Sequence, residues 1–169
     1  MREETEFQFR RLLEDHDRDL LRLPTADAHQ ALRDQTWDTR FHDRIEHLVH
    51  PIMTRLRAMM HEHGLRSEIV VTHRQTNDAG RIVPSSIAFE FHVLTDPETH
   101  GFPVTTPSVT FVGDPTLDAV QVHENSMLPF LGGHVGMIDQ CKLAWLDEAF
   151  VEKHLLAVAR KILRGTDAQ

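Results

Sequence analysis

Cysteine is nearly absent from this chain of 169 residues, because Cys141 is the only one. A single thiol excludes an intramolecular disulfide and a zinc site built from cysteines. Since Cys141 stands between Gln140 and Lys142, activation by the neighbouring cation is one interpretation. The other, which we prefer, is a partly buried structural thiol.

Clustered positive charge is also scarce. Lysine and arginine number 18 against 26 aspartates and glutamates, so the formal net charge is −8 with histidine neutral. Because phosphates are bound by clustered Lys and Arg, we expect neither a nucleic-acid partner nor an anionic membrane surface. No apolar run approaches the roughly 20 residues of a membrane span. The charged segment MREETEFQFRR does not have the pattern of a signal peptide, and we expect a cytoplasmic protein.

Sequence signatures of catalysis are missing as well. The chain has no HExxH motif and no GxSxG motif around its serines. The segment PFLGGHVG (129–136) has glycines that would let backbone amides approach an anion, but it lacks GxGxxG and P-loop spacing. We interpret it as a surface loop. We therefore assign no catalytic residue and no cofactor, and we favour a protein that is not an enzyme.

What the sequence does contain is a central stretch of strand-like alternation. In SSIAFEFHVL (85–94), apolar residues recur at every second position from Ile87 to Val93, which is typical of a strand with one buried face. Similar short runs are separated by turn-forming residues, so we predict an antiparallel meander. Its four strands lie within 67–75, 85–94, 108–114 and 117–125. The segment from Met137 to Trp145 is either a fifth strand or an irregular return.

Two helices are predicted before the meander. The first covers residues 3–22, and a polar connector, with room for one helical turn, follows it over 25–35. The second runs from Trp37 to His63, with Thr36 as its N-cap and Gly64 as its terminator. Because Pro51 removes a backbone donor, we expect a kink or break near His50. The apolar stripe of this second helix comprises Phe41, Ile45, Leu48, Val49, Ile52, Leu56, Met59 and Met60.

One helix is predicted after the meander, from about Asp147, its N-cap, to Leu163. Leu156 and Leu163 widen its apolar arc beyond what one sheet face requires. Contact with the second helix explains this width, and a subunit interface is the alternative. The core-facing residues of this helix are Val151, Leu155, Val158, Ala159 and Ile162.

Length and composition predict a single α+β domain over residues 1–169. Its sheet has four antiparallel strands, or five, with two N-terminal helices and one C-terminal helix packed on one face. The predicted segments are 1–35 (helix and polar connector), 36–64 (kinked helix), 67–125 (meander), 126–146 (glycine-containing loop and return) and 147–164 (C-terminal helix).

Histidine is unusually abundant, with 13 residues, and neutral imidazole is both a metal ligand and an acid or base near neutral pH. In the meander, alternation puts Glu90 and His92 on the polar face of the second strand, and Gln121 and His123 on that of the fourth. Arg74 is able to join them. These five are the candidate ligand-binding residues, and His92, His123 and Glu90 are the candidate metal ligands. Solvated polar residues are the alternative, and a slip of one residue would reverse the faces.

Two functions are consistent with these observations. The first is a binding or adaptor module that acts through protein contacts, with a protein partner or as a homodimer. The second is a ligand- or metal-binding domain, or an enzyme, whose polar sheet face uses His92 and His123 with Glu90 orienting one of them. A response to acidification through the many histidines is a third, lower-ranked hypothesis.

Overall fold

A computed structural model of the protein describes residues 28–92, 106–128 and 132–166. The chain divides into two units, Met1–Thr36 and Trp37–Gln169. In the first unit, the described residues 28–36 are helical. The helix predicted over 3–22 lies outside the described residues.

The connector predicted over 25–35 is wrong from residue 28 onward, because that part is helix. Ala31, Leu32 and Arg33 are strong helix formers, and the Gln30 side chain donates a hydrogen bond to Asp34 one turn later. Thr36 is not an N-cap, because its hydroxyl donates back to the Leu32 carbonyl inside the helix.

The second unit is built on a five-stranded antiparallel sheet with strand order β1-β4-β5-β6-β7. The predicted meander is therefore confirmed, and its fifth strand is present. A separate pair, β2 and β3, lies in the long hairpin between β1 and β4. The strands are β1 Arg66–Thr72, β2 Gln75–Thr76, β3 Ile82–Val83, β4 Ser86–His92, β5 Ser108–Asp114, β6 Ala119–Asn125 and β7 Val135–Lys142.

The N-terminal helix of this unit, α1, contains the disruption predicted near His50. It consists of helical residues 37–44, a π-helical turn Ile45–Val49 and the α-helical segment His50–Glu62. The His50 backbone N–H donates to the Ile45 carbonyl, five residues back. Since Pro51 has no N–H, a regular α-helix would lose a hydrogen bond at this point. The widened turn is how α1 passes the proline.

The buried face of α1 beyond the π turn differs in part from the predicted stripe. Met53, which follows Val49 by four residues, is fully buried, whereas Met59 is 54% exposed. The prediction that Met59 belongs to the core stripe is therefore wrong. Adjacent residues lie about 100° apart around a helix, and Met60 is the one of the two that faces the core.

The C-terminal helix α2, Glu148–Thr166, has the predicted cap and core face. The Phe150 backbone N–H donates to Asp147 Oδ1 at 2.8 Å. The described residues thus contain one long N-terminal helix and one C-terminal helix, rather than the three helices predicted. None of the helices described combines the length and apolar character that crossing a bilayer requires. The predicted core residues of α2 are all buried: Val151, Leu155, Val158, Ala159 and Ile162.

The core lies between the helices and the inward face of the sheet. Ile87, Phe89 and Phe91 on β4 are fully buried, as are Val109 and Phe111 on β5. The residues that alternate with them are only half-buried. One apolar and one polar sheet face follow directly from the alternation in the sequence.

Candidate functional site

The polar face of the sheet carries four of the predicted site residues. Glu90 and His92 alternate with the buried residues of β4, and Gln121 and His123 are half-buried on β6. The antiparallel register joins the two strands through β5, where Thr110 pairs with both Ala88 and His123. All four residues therefore lie on one face.

The register nevertheless separates them into two groups. His123 is aligned with Ala88, which is four residues, or about 13 Å, along β4 from His92. The two histidines also lie two strand spacings apart, each of about 4.8 Å. His92 and His123 are therefore too far apart to bind one ion. His123 instead contacts Gln121 at 3.1 Å, and Gln121 donates to Asp114 Oδ2 at 3.0 Å.

Glu68, on the neighbouring strand β1, joins Glu90 and His92. Glu68 lies directly opposite Glu90 in the register, so both carboxylates project from the same face. His92 Nε2 is 3.7 Å from Glu68 Oε2 and 3.6 Å from Glu90 Oε2. These three side chains, which we call the Glu–Glu–His site, each offer one ligand atom, and the three atoms lie within 4.8 Å of one another.

The nitrogen of this site is a buried polar atom with an unsatisfied hydrogen-bonding capacity. His92 Nε2 is shielded from solvent and makes no hydrogen bond within the described part of the chain, since 3.6 Å exceeds hydrogen-bond reach. Two tetrahedral metal–ligand bonds of about 2.1 Å would hold their ligand atoms about 3.4 Å apart. The spacing in the Glu–Glu–His site is close to that value, so these residues fit a small divalent cation.

A cavity of about 770 Å³ adjoins the Glu–Glu–His site, between the last turns of α1 and the edge strand β1. We call it the α1–β1 cavity. Glu68 and His92 line it, so a cation held between them would be reachable from the cavity. The remaining lining residues are Thr54, Arg57, Ala58, His61, Glu62, Leu65, Arg66 and Ser67.

Arg74 lies away from this site, just beyond the opposite end of β1. Its guanidinium is 3.5 Å from Asp38 Oδ2, and its backbone N–H donates to Ser85 Oγ at 3.0 Å. The Ser85 hydroxyl is also 3.2 Å from Asp38 Oδ1 and 3.3 Å from His42 Nε2. Asp38 thus contacts the serine and the arginine, and the serine is buried. This arrangement ties α1 to the hairpin and differs from a nucleophile–base–acid relay, in which the acid orients the base.

Two imidazoles meet beside this cluster. His42 Nε2 lies 3.2 Å from His73 Nδ1, and the ring centroids are 4.5 Å apart. Burial lowers the pKa of His42, and His73 lowers it further, while Asp38 acts in the opposite direction. The lowered pKa favours the uncharged form of the His42 ring, which can share one N–H···N contact with His73 at this distance.

Cys141 is partly buried, as expected from the sequence. It is half-buried on β7, and burial raises its pKa to about 11, with Asp139 and Asp147 adding to the rise. The thiol is therefore uncharged at neutral pH and is a poor nucleophile.

In the 129–136 segment, backbone packing explains why residue 133 is a glycine. Gly133 has φ +153°, and a side chain there would begin 2.3 Å from the Ser126 carbonyl oxygen. The adjacent His134 backbone N–H donates to the Ser126 hydroxyl. Close approach of two backbone segments requires this glycine. An anion is not needed to explain it.

Sequence reasoning found Glu90 and His92 but missed Glu68. Glu68 alternates with half-buried residues on β1, so the sequence predicts the sheet face on which it lies. The sequence does not predict that it pairs with Glu90. The long hairpin includes the β2–β3 pair, and its length alone does not fix which residue of β1 opposes Glu90. Comparison of the chain with family models, curated proteins and solved structures found no match.

Proposed function

We propose that this protein binds a divalent transition-metal ion at the Glu–Glu–His site. The observation that carries the proposal is the convergence of three ligand atoms, one from each of Glu68, Glu90 and His92, within 4.8 Å. The buried Nε2 of His92 gains a partner when an ion binds, and the two carboxylates lose their mutual repulsion.

The ligand set indicates the class of ion. Imidazole and carboxylate together suit zinc and its first-row neighbours, whereas calcium and magnesium favour all-oxygen sites. Three protein ligands leave a coordination position for a further group, as in catalytic zinc sites. Because Glu68 and His92 line the α1–β1 cavity, that position would be accessible to small molecules.

Titration of the protein with Zn²⁺ in a calorimeter tests the proposal. We expect one ion per chain, and we expect His92→Ala to weaken binding by more than the roughly 10–100-fold that losing an outer-shell partner costs. Glu68→Gln is expected to act in the same direction. His123→Ala is the matched control, because it removes an imidazole from the same sheet face outside the site. Equal affinity in His92→Ala and His123→Ala would rule the site out.

Self-association or a protein partner is a second candidate function, and exposed apolar side chains favour it. Trp145, after β7, is 71% exposed, and Leu156 on α2 is 52% exposed. Large exposed aromatic residues are enriched at protein interfaces.

Light scattering over a range of protein concentrations tests this second candidate. We expect a dimer that Trp145→Ser converts to a monomer, with Met59→Ser on α1 as the control for loss of an exposed apolar side chain. A monomer at every concentration would remove the homodimer.

A further inference from the structure

We propose that the α1–β1 cavity binds a small organic oxyanion, with a carboxylate or phosphate group, between Arg57, Arg66 and the metal ion. This inference rests on the proposed metal site and names the kind of ligand that site would take. It concerns two arginines that the metal proposal does not use.

The two arginines reach the cavity from different elements. Arg57 projects from α1 on the same side as Ala58 and His61, which also line the cavity. Arg66 is the first residue of β1 and lies directly opposite His92 in the register. A cross-strand neighbour of this kind has its Cβ about 5 Å away on the same face. Arg66 is therefore beside the metal ligand.

Neither guanidinium is neutralised by an ion pair within the described residues. By contrast, Arg55 precedes Arg57 by two residues on α1, does not line the cavity, and is 3.5 Å from Glu148 Oε1. Arg57 and Arg66 are both exposed, so their guanidinium groups are open to an incoming oxyanion.

Charge balance makes the anion dependent on the metal. Without an ion, the three carboxylates of Glu62, Glu68 and Glu90 outweigh the two arginines, so the cavity repels an anion. A divalent cation neutralises Glu68 and Glu90, and the arginines then outweigh Glu62. Oxyanion affinity is therefore expected to rise when the metal binds, and metal affinity rises by the same factor when the oxyanion binds.

The cavity also suits the organic part of such a ligand. Its volume is in the range of small-molecule sites, and Leu65 and Ala58 supply apolar wall. Guanidinium groups bind carboxylate and phosphate with paired hydrogen bonds. The ligand would place one oxygen on the open coordination position and present its other oxygens to the arginines.

The test uses Co²⁺-loaded protein with two probes, succinate for a carboxylate and phenyl phosphate for a phosphate group. Binding of either is expected to change the visible Co²⁺ spectrum, because an oxygen enters the coordination shell. Removing the charge-assisted hydrogen bonds in Arg57→Gln/Arg66→Gln is expected to weaken the probe by about 10–100-fold. Arg55→Gln is the matched control and keeps full affinity. Whichever probe binds more tightly identifies the headgroup.

The outcomes separate the two proposals. If Co²⁺ binds and neither probe changes its spectrum, the oxyanion inference is overturned and the metal site stands. Equal probe affinity in the double variant and in Arg55→Gln overturns it as well. If Co²⁺ itself does not bind, while circular dichroism shows folded protein, the proposed function fails.

Discussion

Replacement of Lys161 by methionine is expected to lower the free energy of unfolding by about 1–3 kcal/mol, the cost of leaving a buried acceptor unsatisfied, because Glu124 is buried while the Lys161 side chain is half exposed. Glu124 on β6 is 2% exposed, and both of its carboxylate oxygens accept from Lys161 Nζ, at 2.8 and 2.7 Å. Methionine keeps most of the length and apolar stem of lysine. The loss of stability therefore reflects removal of the ammonium group that pairs with Glu124. Urea denaturation measures this loss.

A surface ion pair provides the control for this result. Lys153 and Asp139 are 3.2 Å apart with the lysine side chain largely exposed, so Lys153→Met is expected to cost less than about 1 kcal/mol. Adding Glu124→Gln to Lys161→Met should restore part of the stability, because it removes the unpaired charge. Equal losses for the two lysine variants would show that Glu124 is hydrated in solution.

The second large effect is expected at Gly113 on β5. An alanine Cβ there would lie 2.7 Å from Trp37 Cζ3 and 3.0 Å from the ring of Phe41. The Trp37 ring cannot easily give way, since its Nε1–H donates to Asp118 Oδ1 at 2.8 Å and it stacks on Phe41. Gly113→Ala is therefore expected to lower the free energy of unfolding by about 1–3 kcal/mol, the usual cost of overpacking.

Thermal and urea unfolding of two further variants would isolate the steric cause. Thr110→Ala changes a half-buried residue of the same strand on the opposite face and is expected to change stability little. Phe41→Leu leaves space, so Gly113→Ala should cost less in that background than in the parent protein. Additive losses would mean that contact with the Phe41 ring is not the cause.

Much of the fold was predictable, because each strand repeats its pattern with period two. The alternation from Ile87 to Phe91 fixed the buried face of β4, and Asp147 marked the start of α2. Helix α1 was harder, because Pro51 predicts a disruption without saying how the chain absorbs it. A π turn and a sharp kink have the same sequence signal.

The site was predictable in part for the same reason. Period two placed Glu90 and His92 on one face, as it did His123, but it carries no information on which residues oppose each other across strands. The hairpin tip with its β2–β3 pair sets the register that places Glu68 opposite Glu90. The register of β5 with its two neighbours keeps His123 away from His92. Both registers depend on the lengths of the ordered segments between strands, which composition does not supply.

Strand β1 is an edge of the sheet, and Glu68 is the one residue of the Glu–Glu–His site that belongs to it. An ion held by that site would be a cross-link between the edge strand and β4, in addition to their backbone hydrogen bonds. Edge strands open locally more often than central ones, and opening β1 would then require release of the ion. We therefore expect slower amide hydrogen exchange along β1 in the metal-loaded protein and no change in β7 at the other edge. This is the dynamic consequence of placing a metal ligand on the outermost strand.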